Sequence, residues 1–327
     1  MRKKRKSIIT DEMIVLDRPP VSPIYGSYPD ERSIEERLEN GIIILDKPRG
    51  PTSHQVTSWV KEILELKKTG HSGTLDPNVS GVLVVGLNNA TKYLQALLKS
   101  PKEYVAILEL SHPVPQKTIR ETFSEFVGKI YQTPPEHAAV KKRLRKRRVY
   151  LLNILEIEGK RVLFHVKCES GTYIRTLCFD LGRAMGVVGT MASLRRVKTA
   201  NFSEKEAVTL HQLKDAYMFY KEDGDGSELK AMLRLPEEVL APFPKIVIKD
   251  SAVDALCRGA PLTFPGIAAL DRNIRKSQDV AILSLKGEAV ALAKAKFDAR
   301  EIKDKKKGVA AVSTRVFMKP GTYPKGW

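Results

Sequence analysis

The 327-residue sequence has few of the residues that would mark a disulfide-rich, metal-binding or membrane protein. Its three cysteines, Cys168, Cys178 and Cys257, are an odd number without close-pair spacing. This argues against a disulfide framework and a zinc site, and it suggests a reducing compartment. No apolar run approaches the ~18 residues that a membrane-spanning helix needs, and no secretory apolar core follows the basic N-terminus. We therefore expect a protein that is neither secreted nor embedded in a membrane.

Acidic residues are scarce relative to basic ones. The chain has 56 lysines and arginines against 38 aspartates and glutamates, a formal net charge of +18 at pH 7. Such an excess points to a polyanionic partner, of which nucleic acid is the first candidate. The alternative is a protein that is merely basic, but the clustering of the charge favours nucleic acid. The length favours two domains, and a hydrophobic content of 42% allows a sizeable core.

One carboxylate lies in a glycine-rich loop directly before an apolar run. Asp76 precedes Pro77, which disfavours helical backbone at the aspartate, and glycines within 70–81 allow sharp turns or the close approach of another molecule. The apolar run at 82–85 is short and β-branched, as is typical of a buried strand that anchors the loop at a sheet edge. The pattern alone leaves two interpretations open, a functional acid and a structural Asx-turn.

Changes in composition divide the chain into three parts. Residues 1–38 are charged and proline-rich and indicate an arm with an apolar patch that docks onto another surface. Apolar strands and amphipathic helices alternate through 39–240, with capping-box spacing that predicts helices beginning at Thr52 and Thr118. Short strands separated by glycine and proline at 245–327 indicate a small β-rich domain.

A basic run between Pro135 and a predicted strand at 149–157 indicates a mobile loop. Its basic residues are Lys141, Lys142, Arg143, Arg145, Lys146, Arg147 and Arg148. Such a run repels itself unless phosphates neutralise it, so we favour nucleic-acid contact over a solvated or nuclear-import-like tract. These residues would set affinity and salt dependence rather than sequence choice.

Four polar positions allow both a structural and a functional interpretation. Arg175 falls in the first turn of a predicted helix, where it would hold a carboxylate together with the helix N-terminus or simply be exposed. Tyr104 on a predicted strand is either a core residue or a site residue. Lys47 alone is merely a turn residue, and His71 lies in the glycine-rich loop.

Several motifs together resemble the TruB/dyskerin family of pseudouridine synthases. They are ILDKPRGPTSH from residue 44, GHSGTLDP from 70, ATK from 90, KEY from 102, SGTYIRTL from 170 and LRR from 194. The tail at 245–327 resembles a PUA domain, an RNA-binding β-barrel. The resemblance implies an α+β fold, in which a pseudouridine synthase domain with a mixed or antiparallel sheet occupies 39–240. It also implies that the arm at 1–38 packs on the PUA domain.

The resemblance implies an isomerase that converts uridine in RNA to pseudouridine without a cofactor or metal. Asp76 would be the catalytic carboxylate, Arg175 its ion-pair partner and Tyr104 the aromatic that stacks on the flipped base. Three further residues correspond to positions of the substrate pocket: Lys47, His71 and Leu194. The basic run would correspond to a loop that closes over substrate RNA.

The arm and the ending at 317–324 are typical of the archaeal and eukaryotic branch of this family. The resemblance therefore implies an H/ACA guide RNA, substrate rRNA or tRNA, and small H/ACA core proteins of the Nop, Gar and kink-turn-binding types as partners. Because long lysine-rich tails are missing, we expect an archaeal, cytoplasmic protein; a eukaryotic one would be nucleolar. Two alternatives are a stand-alone enzyme acting on the T-loop uridine of tRNA and a non-catalytic RNA-binding scaffold.

Overall fold

The computed structural model describes residues 8–134 and 143–325, with the backbone alone at 303 and 304. The chain forms two compact units. The central unit is Ile42–Arg234, and the terminal unit combines Met1–Gly41 with Leu235–Trp327. Within the described ranges, no helix has both the length and the apolar character needed to cross a membrane. The cysteines are buried and free.

The chain begins with strand β1 (Met13–Val15) and helix α1 (Ile34–Asn40) of the terminal unit. The strands of the central unit are β2 (Ile42–Lys47), β3 (Thr69–His71), β4 (Ser80–Leu87), β5 (Lys102–Leu110), β6 (Gly128–Gln132), β7 (Arg145–Glu158), β8 (Arg161–Cys168), β9 (Gly189–Thr199) and β10 (Phe202–Ser203). Its helices are α2 (Ser53–Ile63), α3 (Gln95–Leu98), α4 (Gln116–Glu125), α5 (Ile174–Ala184), α6 (Leu210–Glu222) and α7 (Ser227–Met232). Two 3₁₀ helices, Asn88–Lys92 and Glu204–Glu206, complete its described elements.

The strands of the central unit form one mixed sheet. Its order is β2-β4-β9-β5-β8-β7-β6, with β3 paired to β4 and β10 paired to β9. The pair β4–β9 is parallel, whereas the other pairs of this sheet are antiparallel. In this register Arg196 of β9 lies between Gly81 of β4 and Tyr104 of β5. The strand order therefore places the end of the glycine-rich loop close to the predicted aromatic.

The local signals around the glycine-rich loop are confirmed in part. Residues 82–85 are fully buried in β4, but β4 pairs with β2, β3 and β9, so the loop ends in an interior strand and the predicted sheet-edge position is wrong. Thr52 caps α2 with the predicted capping box. The box predicted at Thr118 is wrong, because α4 begins at Gln116 with Pro115 as its N-cap, which places Thr118 inside the first turn.

The basic run is not a loop throughout. Strand β7 starts at Arg145, so the loop prediction is wrong for 145–148, while Lys141 and Lys142 lie outside the described residues. Pairing of β7 with β6 extends the hairpin into the run, with Arg145 opposite Gln132. Side chains alternate along the strand, so that Lys146 and Arg148 are exposed whereas Arg145 and Arg147 are half-buried.

The terminal unit contains a second sheet. Its remaining strands are β11 (Lys245–Ile248), β12 (Leu262–Thr263), β13 (Ile267–Asp271), β14 (Asp279–Leu283), β15 (Ala289–Ala295) and β16 (Val309–Val316), and its helices are α8 (Asp250–Cys257) and α9 (Ala299–Asp304). Its 3₁₀ helices are Pro29–Glu31, Pro236–Leu240 and Phe264–Gly266. The strand order is β1-β13-β11-β14-β15-β16-β12. Strand β1 pairs antiparallel with β13, so the apolar patch of the arm docks on this sheet.

Candidate active site

An ion pair joins the carboxylate of the glycine-rich loop to helix α5. The Arg175 Nη2 lies 3.0 Å from the Asp76 Oδ2, and the side chains remain 51% and 60% exposed, respectively. The two residues are 99 positions apart in the chain. Because the pair is open to solvent, a substrate can reach the carboxylate without a rearrangement of the core. The structure thus brings the two predicted catalytic charges together at an accessible surface.

The backbone on both sides of Asp76 is held by buried side chains. Lys47 is 0% exposed, and its Nζ donates to the carbonyl oxygens of Pro77 at 3.1 Å and Val79 at 2.8 Å. The Ser53 hydroxyl accepts from the Leu75 N–H at 2.9 Å and donates to the Leu75 carbonyl oxygen at 3.0 Å. The loop that carries the acid is therefore fixed from within, so Lys47 is more than a turn residue.

Arg196 is a buried cation beneath the loop. The side chain is 2% exposed, and its guanidinium donates to the carbonyl oxygens of Val82 at 2.7 Å and Gly73 at 3.2 Å. Burial lowers the pKa of Arg196, whereas the nearby Tyr104 raises it. Arg196 belongs to the LRR motif, but the sequence predicted no role for it. Only the strand register, which places Arg196 opposite Tyr104, shows that it lies at the site.

Tyr104 lies on β5, partly buried and packed against the core of the central unit. Burial raises the pKa of Tyr104, and the charge of Asp76 adds a smaller increase, while Arg196 acts in the opposite direction. The phenol therefore stays protonated at neutral pH, and it can donate a hydrogen bond or present its ring. Tyr104 therefore lies close enough to Asp76 for the carboxylate charge to act on its phenol.

The remaining predicted pocket residues lie around the same loop. The rings of His71 and His54 meet edge to face, with centroids 5.1 Å apart. Burial, with contributions from His54 and Arg196, lowers the pKa of His71 and favours the neutral ring at pH 7. Leu194 is 9% exposed and belongs to the buried cluster that contains Leu75 and Val79. Both residues thus border the loop that carries the acid.

The described part of the basic run contacts the turn that leads into α5 through Arg147. Arg143 is exposed, and the Arg147 Nε donates to the Gly171 carbonyl oxygen at 3.0 Å, four residues before Arg175. The Arg148 guanidinium lies 5.8 Å from the centroid of the Tyr150 ring.

Within 8–134 and 143–325, no group of three or more histidine, cysteine, aspartate or glutamate side chains could hold a metal ion.

Models of known protein families match four successive stretches of the chain. The model of the N-terminal domain of TruB family pseudouridylate synthases matches residues 61–174, and that of the tRNA pseudouridylate synthase B C-terminal domain matches 175–241. A PUA domain model matches 244–317, and a DKCLD domain model matches 8–57. Fold and site therefore define an RNA-modifying isomerase of the pseudouridine synthase class with an appended PUA domain.

Similarity over nearly the whole chain specifies the family. The chain is 51% identical to a protein named "Probable tRNA pseudouridine synthase B" from Methanosarcina barkeri, over 94% of this chain and 90% of that protein. It is 49% identical to a protein of the same name from Pyrococcus abyssi, over 99% and 96% of the two chains. The chain belongs to the TruB family of pseudouridylate synthases.

Solved structures share the complete architecture. The protein matches a chain from "Crystal structure of the archaeal box H/ACA sRNP Nop10-Cbf5 complex" with a TM-score of 0.89 and 47% identity, covering 98% of this chain and 99% of that one. It matches a chain from "Structure of H/ACA RNP bound to a substrate RNA containing 2'-deoxyuridine" with a TM-score of 0.90 and 45% identity, covering 99% and 98%. The predicted α+β fold with a PUA domain is confirmed.

Proposed function

We propose that this chain is the catalytic subunit of a guide-RNA-directed H/ACA particle that converts uridines of rRNA and tRNA to pseudouridine. The observation that carries this proposal is the solvent-accessible pair of Asp76 and Arg175, held on a buried scaffold. It is supported by the match over 98% of the chain to a protein solved in an archaeal box H/ACA complex with Nop10. A chain retained only as an RNA-binding scaffold would not need these paired charges at an accessible surface.

The reaction balances within one nucleotide. The C1′–N1 bond of the uridine breaks, the base turns over, and a C1′–C5 bond forms. The proton on C5 is lost while N1 gains one, so no electron acceptor or second nucleophile is consumed. The target base must first leave its stack, because its reacting atoms are inaccessible inside a helix.

Asp76 supplies the reacting carboxylate in this proposal. An ionised aspartate attacks or stabilises an electron-deficient sugar or base directly, without a helper base. Arg175 orients that carboxylate from the first turn of α5. Tyr104 stacks the face of its ring on the extruded base, and its protonated phenol is available for proton transfer. Lys47 and Leu194 support the pocket, and His71 lines the space that the base leaves.

RNA binding is assigned to basic side chains and to the terminal unit. A net charge of +18 provides affinity for phosphate. Seven residues are proposed as phosphate contacts: Lys141, Lys142, Arg143, Arg145, Lys146, Arg147 and Arg148. The region at 245–327, which the PUA match at 244–317 overlaps, grips the guide RNA. Small proteins of the Nop, Gar and kink-turn-binding types complete the particle, which acts in an archaeal cytoplasm.

A second activity is supported by the names of the relatives, "Probable tRNA pseudouridine synthase B". We expect the chain also to modify the T-loop uridine of tRNA without a guide. Tritium release from RNA labelled at uridine C5 tests both activities, with the chain alone and with guide RNA and partner proteins. Release only from a guide-complementary target establishes the guided particle, and release from tRNA by the chain alone establishes the stand-alone activity. Absence of release in every mixture, with RNA binding intact, refutes both in favour of a scaffold.

A further inference from the structure

We propose that Gln132, the last residue of β6, is a positioning residue for Arg175. Gln132 is 2% exposed, and its side-chain amide makes two hydrogen bonds to the backbone of one residue. Its Nε2 donates to the Tyr173 carbonyl oxygen at 3.1 Å, and its Oε1 accepts from the Tyr173 N–H at 3.0 Å. The two bonds together fix both the position and the orientation of this peptide segment.

Tyr173 is the residue from which α5 starts. It is the N-cap of the helix, and its own side chain makes no capping hydrogen bond. The Gln132 amide instead holds the backbone of the residue that precedes the helix, from 41 residues away in the chain. Arg175 follows two residues later in the first turn. A displacement at Tyr173 is thus transmitted directly to the backbone of Arg175.

The Arg175 guanidinium depends on this backbone anchor because it lies at the surface. Its side chain is 51% exposed, and its ion pair with Asp76 is itself open to solvent. An exposed ion pair contributes little to stability, so it does not restrain a loosely held helix end. The orientation of the pair is therefore set by the buried amide contact beneath it.

A second contact from the same hairpin holds the preceding turn. The Arg147 Nε on β7 donates to the Gly171 carbonyl oxygen at 3.0 Å. Gly171 has a φ of +78°, and a Cβ there would lie 3.0 Å from the Arg147 guanidinium, so the contact is close. In the β6–β7 ladder Gln132 is opposite Arg145, and Ile130 is opposite Arg147. The hairpin that presents the basic side chains therefore also grips the segment leading to Arg175.

The inference rests on the proposed catalytic role of the Asp76–Arg175 pair. The alternative is that Gln132 only satisfies buried backbone groups and contributes to stability without affecting chemistry. The two roles differ in the effect of removing the amide. Loss of a positioning residue affects the chemical step more than RNA affinity, whereas loss of a structural residue affects both only through folding.

The test compares Gln132→Met, which keeps the side-chain length and removes both hydrogen bonds, with Gln132→Glu, which keeps an acceptor for the Tyr173 N–H. Val162→Ala, a truncation of a fully buried residue on β8, serves as the control for stability. Melting temperature, single-turnover tritium release and RNA affinity are measured on the full chain. Hydrogen exchange of a peptide covering 171–178 reports on the helix entry without requiring turnover.

For Gln132→Met we expect the single-turnover rate to fall roughly ten- to a hundredfold, since small misplacements of catalytic groups have effects of this size. RNA affinity should stay within about twofold, and exchange at 171–178 should accelerate, with Gln132→Glu intermediate in rate and exchange. Unchanged exchange overturns the proposal whether or not the protein is active. An equal loss of rate in Val162→Ala at the same melting temperature also overturns it. If the wild-type chain releases no tritium while exchange still depends on Gln132, the proposed function has failed and the anchoring of α5 has not.

Discussion

Replacement of Lys47 by methionine tests whether the buried ammonium fixes the loop that carries Asp76. The Lys47 Nζ donates three hydrogen bonds, to the carbonyl oxygens of Pro48 at 2.8 Å, Pro77 at 3.1 Å and Val79 at 2.8 Å. Methionine has a similar length and fills the same space, but it cannot donate. The substitution therefore removes the donors while preserving the packing of the site.

The expected change in the free energy of unfolding of Lys47→Met is the balance of two opposing contributions. A buried acceptor left without its donor costs about 1–3 kcal/mol, and this applies most fully to the Val79 oxygen, the most buried of the three. The other two oxygens are partly accessible, and the Pro77 oxygen keeps its bond from the Gly50 N–H. In the opposite direction, burial lowers the pKa of Lys47, so the variant no longer bears the cost of burying a charge. We expect a net loss of roughly 2–4 kcal/mol.

Such a loss should lower the melting temperature by roughly 4–16 °C, given a shift of about 2–4 °C per kcal/mol for a unit of this size. The loop would move relative to Arg175, and we expect the single-turnover rate of tritium release to fall at least about tenfold below the melting transition. Differential scanning fluorimetry and single-turnover kinetics on the same preparation provide the two values.

Lys102→Met is the matched control. Lys102 is 6% exposed, and its Nζ also donates to three carbonyl oxygens, but these belong to Leu97, Leu98 and Ser100 rather than to the Asp76 loop. We expect a similar loss of stability and a rate within about threefold of the wild type. Equal losses of rate in the two variants, or an unchanged rate in Lys47→Met, would refute the role of Lys47 as an anchor of the site.

Three further outcomes are expected. Asp76→Asn should reduce tritium release on the order of a thousandfold or more. Its free energy of unfolding should stay within about 1 kcal/mol of the wild-type value, because the pair with Arg175 is half-exposed. Turnover near the wild-type value would contradict the catalytic assignment. Gly81→Ala should destabilise by roughly 2 kcal/mol or more, as measured in urea, because its Cβ at φ +105° would meet the Arg196 carbonyl oxygen at 2.2 Å, whereas Gly73→Ala, at φ +102° with open space, should cost less. Burial lowers the pKa of Lys102 to about 8 from 10.5. Between these values the unfolded chain binds more protons than the folded chain, so the contribution of this group to stability must rise with pH. The free energy of unfolding of the wild type should therefore increase by up to about 2 kcal/mol relative to that of Lys102→Met between pH 8 and 9.5, and a difference that is independent of pH would exclude the shift.

Local sequence signals predicted the elements that carry the site but not their contacts. The β-branched run at 82–85 became a buried strand, and Thr52 capped the helix that presents Ser53 to the loop. Both signals depend only on residues within one or two turns of each other. The capping box predicted at Thr118 does not form, because α4 starts after Pro115 and Thr118 lies inside its first turn. The basic run failed as a loop because its arginines pair with β6, a partner that composition does not reveal.

The sequence by itself determined the family, the basic charge and the identity of the proposed catalytic residues, because long motifs and residue counts can be recognised without a three-dimensional structure. Their roles in catalysis stay a prediction. The resemblance also implied the ion pair of Asp76 with Arg175, which the structure shows across 99 positions. Only the tertiary structure decided that Gln132 holds the entry of α5. It also showed Arg196 buried between Gly81 and Tyr104. Such contacts depend on strand order and register, which local propensity does not encode and which only packing of the whole sheet selects.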